Sequence, residues 1–109
     1  MSESIILNKI KKTILDVTKK YNVKIHKIIL FGSRARGNYK DSSDWDILIV
    51  TEEKLDWNAK INILSELYDK FGYEGLNVDV VIVSEEEYNK KKEDKGFLEY
   101  WVEKEGILI

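Results

Sequence analysis

From residue 4 to residue 21 the apolar positions recur at helical spacing, Ile6, Ile10, Ile14, Val17 and Tyr21, which predicts an amphipathic first helix laying one stripe on a sheet. The period then shortens. Ile28-Ile29-Leu30-Phe31 and Ile47-Leu48-Ile49-Val50 are continuous apolar runs too short for helices, and they predict buried strands at about 25–31 and about 45–51. Asp56 stands where it can cap a second long helix, with Trp57, Ile61, Leu64, Tyr68 and Phe71 as its buried face and Gly72 as its stop. Asn77 to Val83 reads as a third strand. It runs into Ser84-Glu85-Glu86-Glu87, a capping-box spelling that starts another helix. A last helix at about 94–105 carries Phe97, Leu98 and Trp101 and ends at Gly106, leaving Ile107-Leu108-Ile109 as a short edge strand.

The order helix, strand, strand, helix, strand, helix predicts an α/β (α+β) domain, a small sheet packed with helices in two or three layers. The ten residues between Ser33 and Asp44 are just short of the dozen or more that a parallel crossover needs, so the sheet is expected to be mixed. No repeat, low-complexity tract or linker divides the chain, and residues 1–109 are read as one domain. With no cysteine, disulfides and thiolate metal sites are excluded. No apolar stretch approaches the ~20 residues of a membrane span and the N-terminus lacks signal-peptide features, so a cytoplasmic protein without membrane contact is expected. The net charge of −2 conceals an asymmetry. Residues 1–40 hold ten Lys or Arg against two acids, and residues 41–109 hold eight against eighteen. A basic first third can receive phosphates, while the acidic remainder and the lack of a base-reading motif argue against sequence-specific nucleic-acid binding. Lys12, Asp16 and Lys20 stand at i,i+4 spacing, as on a solvated helix face, but Arg34 and Arg36 lie in the loop.

The candidate chemistry sits between the first two strands. Gly32-Ser33 leaves one strand, and Asp44-Trp45-Asp46 opens the next with two carboxylates at i and i+2, on one face. Carboxylates so placed repel each other, and a hard divalent cation between them turns repulsion into binding. Asp79 is alone among the apolar residues of the third strand and faces the side opposite Val78 and Val80. If the third strand lies beside the second, Asp79 completes a triad with Asp44 and Asp46. Such a triad can hold two magnesium ions about 3.5–4 Å apart, an arrangement that activates an attacking oxygen and neutralises a leaving pyrophosphate. Gly32 would let backbone approach a phosphate, the Ser33 hydroxyl would donate to it, and Arg34 or Arg36 would add charge-assisted bonds. A triphosphate bridging loop and metals would have its α-phosphorus over the triad.

These segments, Leu30-Phe31-Gly32-Ser33-Arg34-Ala35-Arg36-Gly37, Ser43-Asp44-Trp45-Asp46-Ile47-Leu48-Ile49-Val50 and Val78-Asp79-Val80-Val81, resemble the nucleotidyltransferase superfamily that includes DNA polymerase beta. Within it the chain is similar, over residues 1–109, to the minimal nucleotidyltransferases of prokaryotic toxin–antitoxin pairs. The resemblance implies the nucleotidyltransferase fold and a magnesium-dependent transfer of AMP from ATP to a hydroxyl. In the antitoxin branch the acceptor is a tyrosine of a HEPN-domain ribonuclease toxin, which adenylylation silences. It also implies Asp44, Asp46 and Asp79 as catalytic metal ligands and Gly32, Ser33, Arg34 and Arg36 as the nucleotide-binding set. Trp45 departs from the aliphatic residue usual there; its side chain faces away from the carboxylates, so a packing change is expected.

His26, the one histidine, is read as structural or surface, and Trp57, Tyr68 and Phe71 as core. Phe97 and Trp101 share a helical face with Tyr100 to the side, so one of them could face a partner, with core packing the favoured reading. A chain of this length has no room for an acceptor-binding domain, and the acceptor is expected in trans. Two other readings remain beside the enzyme, a catalytically silent module that inhibits a partner by binding it and a nucleotide sensor without turnover.

Overall fold

Each long helix begins on a side-chain cap and ends in a left-handed turn. In the computed structural model, which describes residues 2–109, the Ser2 hydroxyl accepts from Ile5 N–H at 3.4 Å and starts α1 (Glu3–Lys20). It ends as Asn22, at φ 57°, sends Asn22 N–H to Lys19 and Val23 N–H to Thr18. Strand β1 (Ile25–Phe31) leads through Gly32 into a single helical turn, α2 (Ser33–Arg36), and a loop returns the chain as β2 (Trp45–Thr51). Asp56 caps α3 (Trp57–Tyr73), accepting from Ala59 N–H at 2.7 Å. Gly72 lies inside this helix and does not stop it. The stop is Gly75, at φ +73°, with Leu76 N–H returning to Phe71 O at 2.8 Å and the Leu76 side chain tucked under the core. Strand β3 (Val78–Ser84) ends on Ser84, whose hydroxyl accepts from Glu87 N–H at 3.1 Å and starts α4 (Glu85–Lys91). Helix α5 (Leu98–Glu105) and strand β4 (Ile107–Leu108) complete the chain. The expected domain began at residue 1, and Met1 lies outside the described residues.

The sheet has the order β3-β2-β1-β4 and is mixed, as expected. β1 is antiparallel to β2 and β4, whereas β2 and β3 run parallel, joined across α3. Alternation divides the strands between two cores. One face carries Ile28, Leu30, Trp45, Ile47, Ile49, Val78, Val80 and Ile82 against α1 and α3; the other carries Ile29, Leu48, Val50 and Val83 against Tyr88 of α4 and Val102 of α5. The result is three layers, helix, sheet and helix. Among the described residues no helix is long and apolar enough to cross a membrane.

Two side-chain expectations are corrected. The buried row of α3 is Ile63, Leu67 and Phe71, while Trp57, Ile61 and Tyr68 are exposed, Trp57 to 73%. Both rows have helical spacing; α3 is rolled so that of the second row Tyr68 meets the edge of β3 and Trp57 and Ile61 face solvent. α5 likewise buries Glu99 and Val102 and leaves Phe97, Leu98 and Trp101 exposed. Lys20, on the solvated face of α1, pairs with Glu66 of α3 at 2.9 Å.

Candidate active site

Gly32 is the tightest point of the site. Its φ of +74° and ψ of −157° belong to a region that only glycine occupies readily, and a Cβ built there would collide with Asp46 Oδ2. The Gly-Ser turn and the second carboxylate of the Asp-x-Asp pair are therefore in contact across β1 and β2, where Phe31 and Asp46 are register partners. Beyond Gly32 the chain turns at once into α2. Ala35 and Arg36 N–H groups bond back to Gly32 O at 3.1 Å, and Ser33 is half-buried at the turn's start.

The parallel pairing of β2 and β3 sets Asp46 directly opposite Asp79. Both face the α4–α5 side, because the residues flanking them, Trp45 and Ile47 on β2 and Val78 and Val80 on β3, are buried on the α1–α3 side. Trp45 thus points away from the carboxylates. Burial pushes the Asp46 carboxyl above the usual carboxylate range, the negative charges of Asp79 and Asp44 push it further, and Arg36 opposes them. Three acids within Coulombic reach of one another, one of them partly desolvated, form an oxygen donor set that fits a hard divalent cation. Among the described residues, no three such side chains stand close enough to make a ready cage. Neutral donors hold the outer two: Asn77 Nδ2 donates to Asp44 Oδ1, and Tyr68 OH donates to Asp79 Oδ1 at 3.2 Å.

The two arginines part company. Arg34 donates to the carbonyls of Ser43 (3.0 Å) and Asp41 (3.1 Å), and its guanidinium lies over the Tyr39 and Trp45 rings at 4.6 and 4.1 Å. It is committed to holding the 37–44 loop, on the side of the sheet away from Asp46. Arg36 is half exposed, acts on Asp46 electrostatically and meets Glu105 at 3.5 Å. His26 is exposed at the far end of β1, 3.7 Å from Glu85. Tyr68 and Asn77 were not singled out for the site by sequence. Asn77 could have been found, since it shares a strand face with Asp79 two residues on; Tyr68 could not, because only the roll of α3 brings its hydroxyl round the edge of β3.

Residues 8–109 match the family described as Polymerase beta, Nucleotidyltransferase. A candidate protein adenylyltransferase of Methanocaldococcus jannaschii is 42% identical over 82 residues, 75% of this chain and 77% of that protein. A second candidate protein adenylyltransferase of the same organism is 44% identical over 59 residues, 54% of this chain and 57% of its own length. Among solved structures, a candidate nucleotidyltransferase from Sulfolobus solfataricus superposes with a TM-score of 0.61 at 26% identity, covering 95% of this chain and 79% of that one. A toxin–antitoxin structure with AMP-PNP shares the fold, with a TM-score of 0.58 at 22% identity over 89% of this chain and 69% of that one. With this match over nearly its whole length, and the mixed sheet that carries Gly32, Asp46 and Asp79 to one place, the chain belongs to the polymerase beta nucleotidyltransferase family and is a nucleotidyltransferase.

Proposed function

We propose that this chain transfers AMP from ATP to a tyrosine hydroxyl of a HEPN ribonuclease toxin and so acts as its antitoxin. The observation that carries the reading is the register pairing of Asp46 with Asp79, on one sheet face and against Gly32. The candidate protein adenylyltransferases of M. jannaschii support adenylyl transfer to protein, and the toxin–antitoxin structures of like fold support the kind of partner. Residues 1–109 act in this reading as one cytoplasmic domain, with the acceptor supplied in trans.

Asp44, Asp46 and Asp79 would hold magnesium, two ions on this reading, which supplies positive charge for the triphosphate and lowers the barrier to forming an alkoxide-like acceptor. The rest falls to the chain. Gly32 admits the triphosphate close to backbone, and the Ser33 hydroxyl donates to a phosphate oxygen. Arg36 is placed to leave Glu105 for a phosphate, whereas Arg34, engaged with Asp41 and Ser43, keeps the loop in shape. The acceptor oxygen attacks the α-phosphorus, the bond to the β-phosphate oxygen breaks, pyrophosphate leaves and Asp79 takes the acceptor proton.

Incubating the toxin with ATP, Mg²⁺ and this protein, then measuring intact mass, tests the proposal. One or more added AMP units and a fall in ribonuclease activity are expected. Inhibition without a mass change, equal for wild type and Asp46→Asn, would establish instead a module that silences its partner by binding; ATP binding with neither transfer nor inhibition would establish a sensor.

A further inference from the structure

Strand β3 is an edge of the sheet, and edge strands expose backbone groups that need partners. At Val80 a side chain supplies one. Tyr68 OH accepts from Val80 N–H at 3.0 Å and stands 3.4 Å from Val80 O, while the same oxygen lies 3.2 Å from Asp79 Oδ1. The backbone bond fixes where the phenol oxygen sits. Its hydrogen is then shared between the Val80 carbonyl and Asp79, and the carboxylate is the stronger acceptor. A half-exposed tyrosine 11 residues upstream, on a helix that packs against the opposite sheet face, thus reaches round the edge to one oxygen of Asp79.

We propose that Tyr68 is a positioning residue for Asp79: it holds Oδ1 and so sets which carboxylate oxygen is presented to a divalent cation and to the acceptor proton. The proposal rests on the role given above to Asp79. Carboxylates that bind metal need a fixed orientation, and losing the hydrogen bond that provides it typically weakens metal affinity or activity by about 10- to 100-fold. Asn77 has the corresponding contact with Asp44. Tyr68 is 42% exposed, so its hydroxyl can be removed with little disturbance of the core.

The test uses Tyr68→Phe, which removes the hydroxyl and keeps the ring. Mn²⁺ binding to the nucleotide-free protein is followed by the loss of the free Mn²⁺ electron-spin-resonance signal. About 10- to 100-fold weaker binding is expected, with AMP transfer recovering as Mn²⁺ is raised. Placed on Asp79→Asn, the same change should weaken binding no further. Melting temperature in EDTA reports separately on the lost Val80 bond. A variant with a lower melting temperature but wild-type Mn²⁺ affinity would show that the hydroxyl only caps the strand edge and would overturn the proposal; so would an equal weakening on the Asp79→Asn background. Mn²⁺ binding needs neither ATP nor acceptor. A wild type that binds Mn²⁺ but transfers no AMP would sink the adenylylation reading alone, whereas one that binds no Mn²⁺ overturns both.

Discussion

Gly32→Ala puts two separate strains into the site, and the structure gives a control for each. At φ +74° and ψ −157° an alanine occupies a region costing about 1–3 kcal/mol. Its Cβ also meets the Asp46 carboxylate, so either the strand pair opens or the carboxylate turns away, an overpacking strain of about 1–3 kcal/mol. The sum is about 2–6 kcal/mol of lost stability. For a chain of 109 residues each kcal/mol moves the melting temperature by about 4 °C, so a fall of about 8–25 °C is expected. Gly37→Ala is the control. Gly37 is also left-handed, at φ +87° and ψ 2°, but nothing lies within 4 Å of a Cβ there. It should cost about 1–2 kcal/mol, a fall of about 4–8 °C, with transfer activity kept. Calorimetric melts of both variants, with AMP transfer measured well below either transition, make the comparison. If Gly32→Ala melts no lower than Gly37→Ala and transfers AMP at the wild-type rate, the contact between Gly32 and Asp46 does not govern the site.

Asp46→Asn should abolish transfer while leaving the metal-free protein as stable as wild type or more so. Because burial, Asp79 and Asp44 raise the Asp46 carboxyl, the folded state prefers it protonated; that contribution is complete below the unfolded value near about pH 4 and is lost as pH rises through the folded one. In EDTA the Asn variant should therefore gain on wild type as pH rises from about 4 through the raised value of Asp46, and melting curves that stay parallel as pH rises would refute the crowding of charge. Ser33→Ala should slow transfer by about 10²–10³, less than Asp44→Ala, since one neutral donor is lost and not a metal ligand; equal or reversed losses measured as kcat would move the chemistry to the loop. Asp56→Ala should cost about 1 kcal/mol, or about 4 °C in melting temperature, by freeing Ala59 N–H, without changing the rate of transfer.

The strands were legible because their apolar runs are short and bounded by Gly32, by Asp44 and by Asn77. The ten residues between Ser33 and Asp44 undercounted the β1–β2 connection, which runs over residues 32–44 and is long enough for a crossover, so loop length alone did not decide the sense of that pairing. The facing of Asp79 was legible for a related reason, since Val78 and Val80 have to be buried together. What the sequence did not show was the rotation of α3 and α5 about their own axes, whereas the apolar stripe of α1 packs where its spacing put it. On α3 two rows of apolar residues share Phe71 and differ by less than a turn, and the choice between Ile63-Leu67 and Ile61-Tyr68 depends on where β3 lies after the crossover. α2 escaped notice because four residues are too few for periodicity, and the engagement of Arg34 because its acceptors are main-chain carbonyls at residues 41 and 43.

The same patterning explains how a site made of like charges survives without help from its own chemistry. Asp46 faces Asp79 because Trp45, Ile47 and Ile49 are paired with Val78, Val80 and Ile82, and all six are buried against α1 and α3. Slipping β3 by one residue would turn Asp79 into that core and move those three apolar side chains to the other face. Burying an unpaired carboxylate costs several kcal/mol, well beyond the partly screened repulsion between two carboxylates at the edge of the sheet. The core thus fixes the register, and the register forces the acids together. A cation that relieves their repulsion meets a face already assembled, with Tyr68 and Asn77 holding the outer two carboxylates from either side.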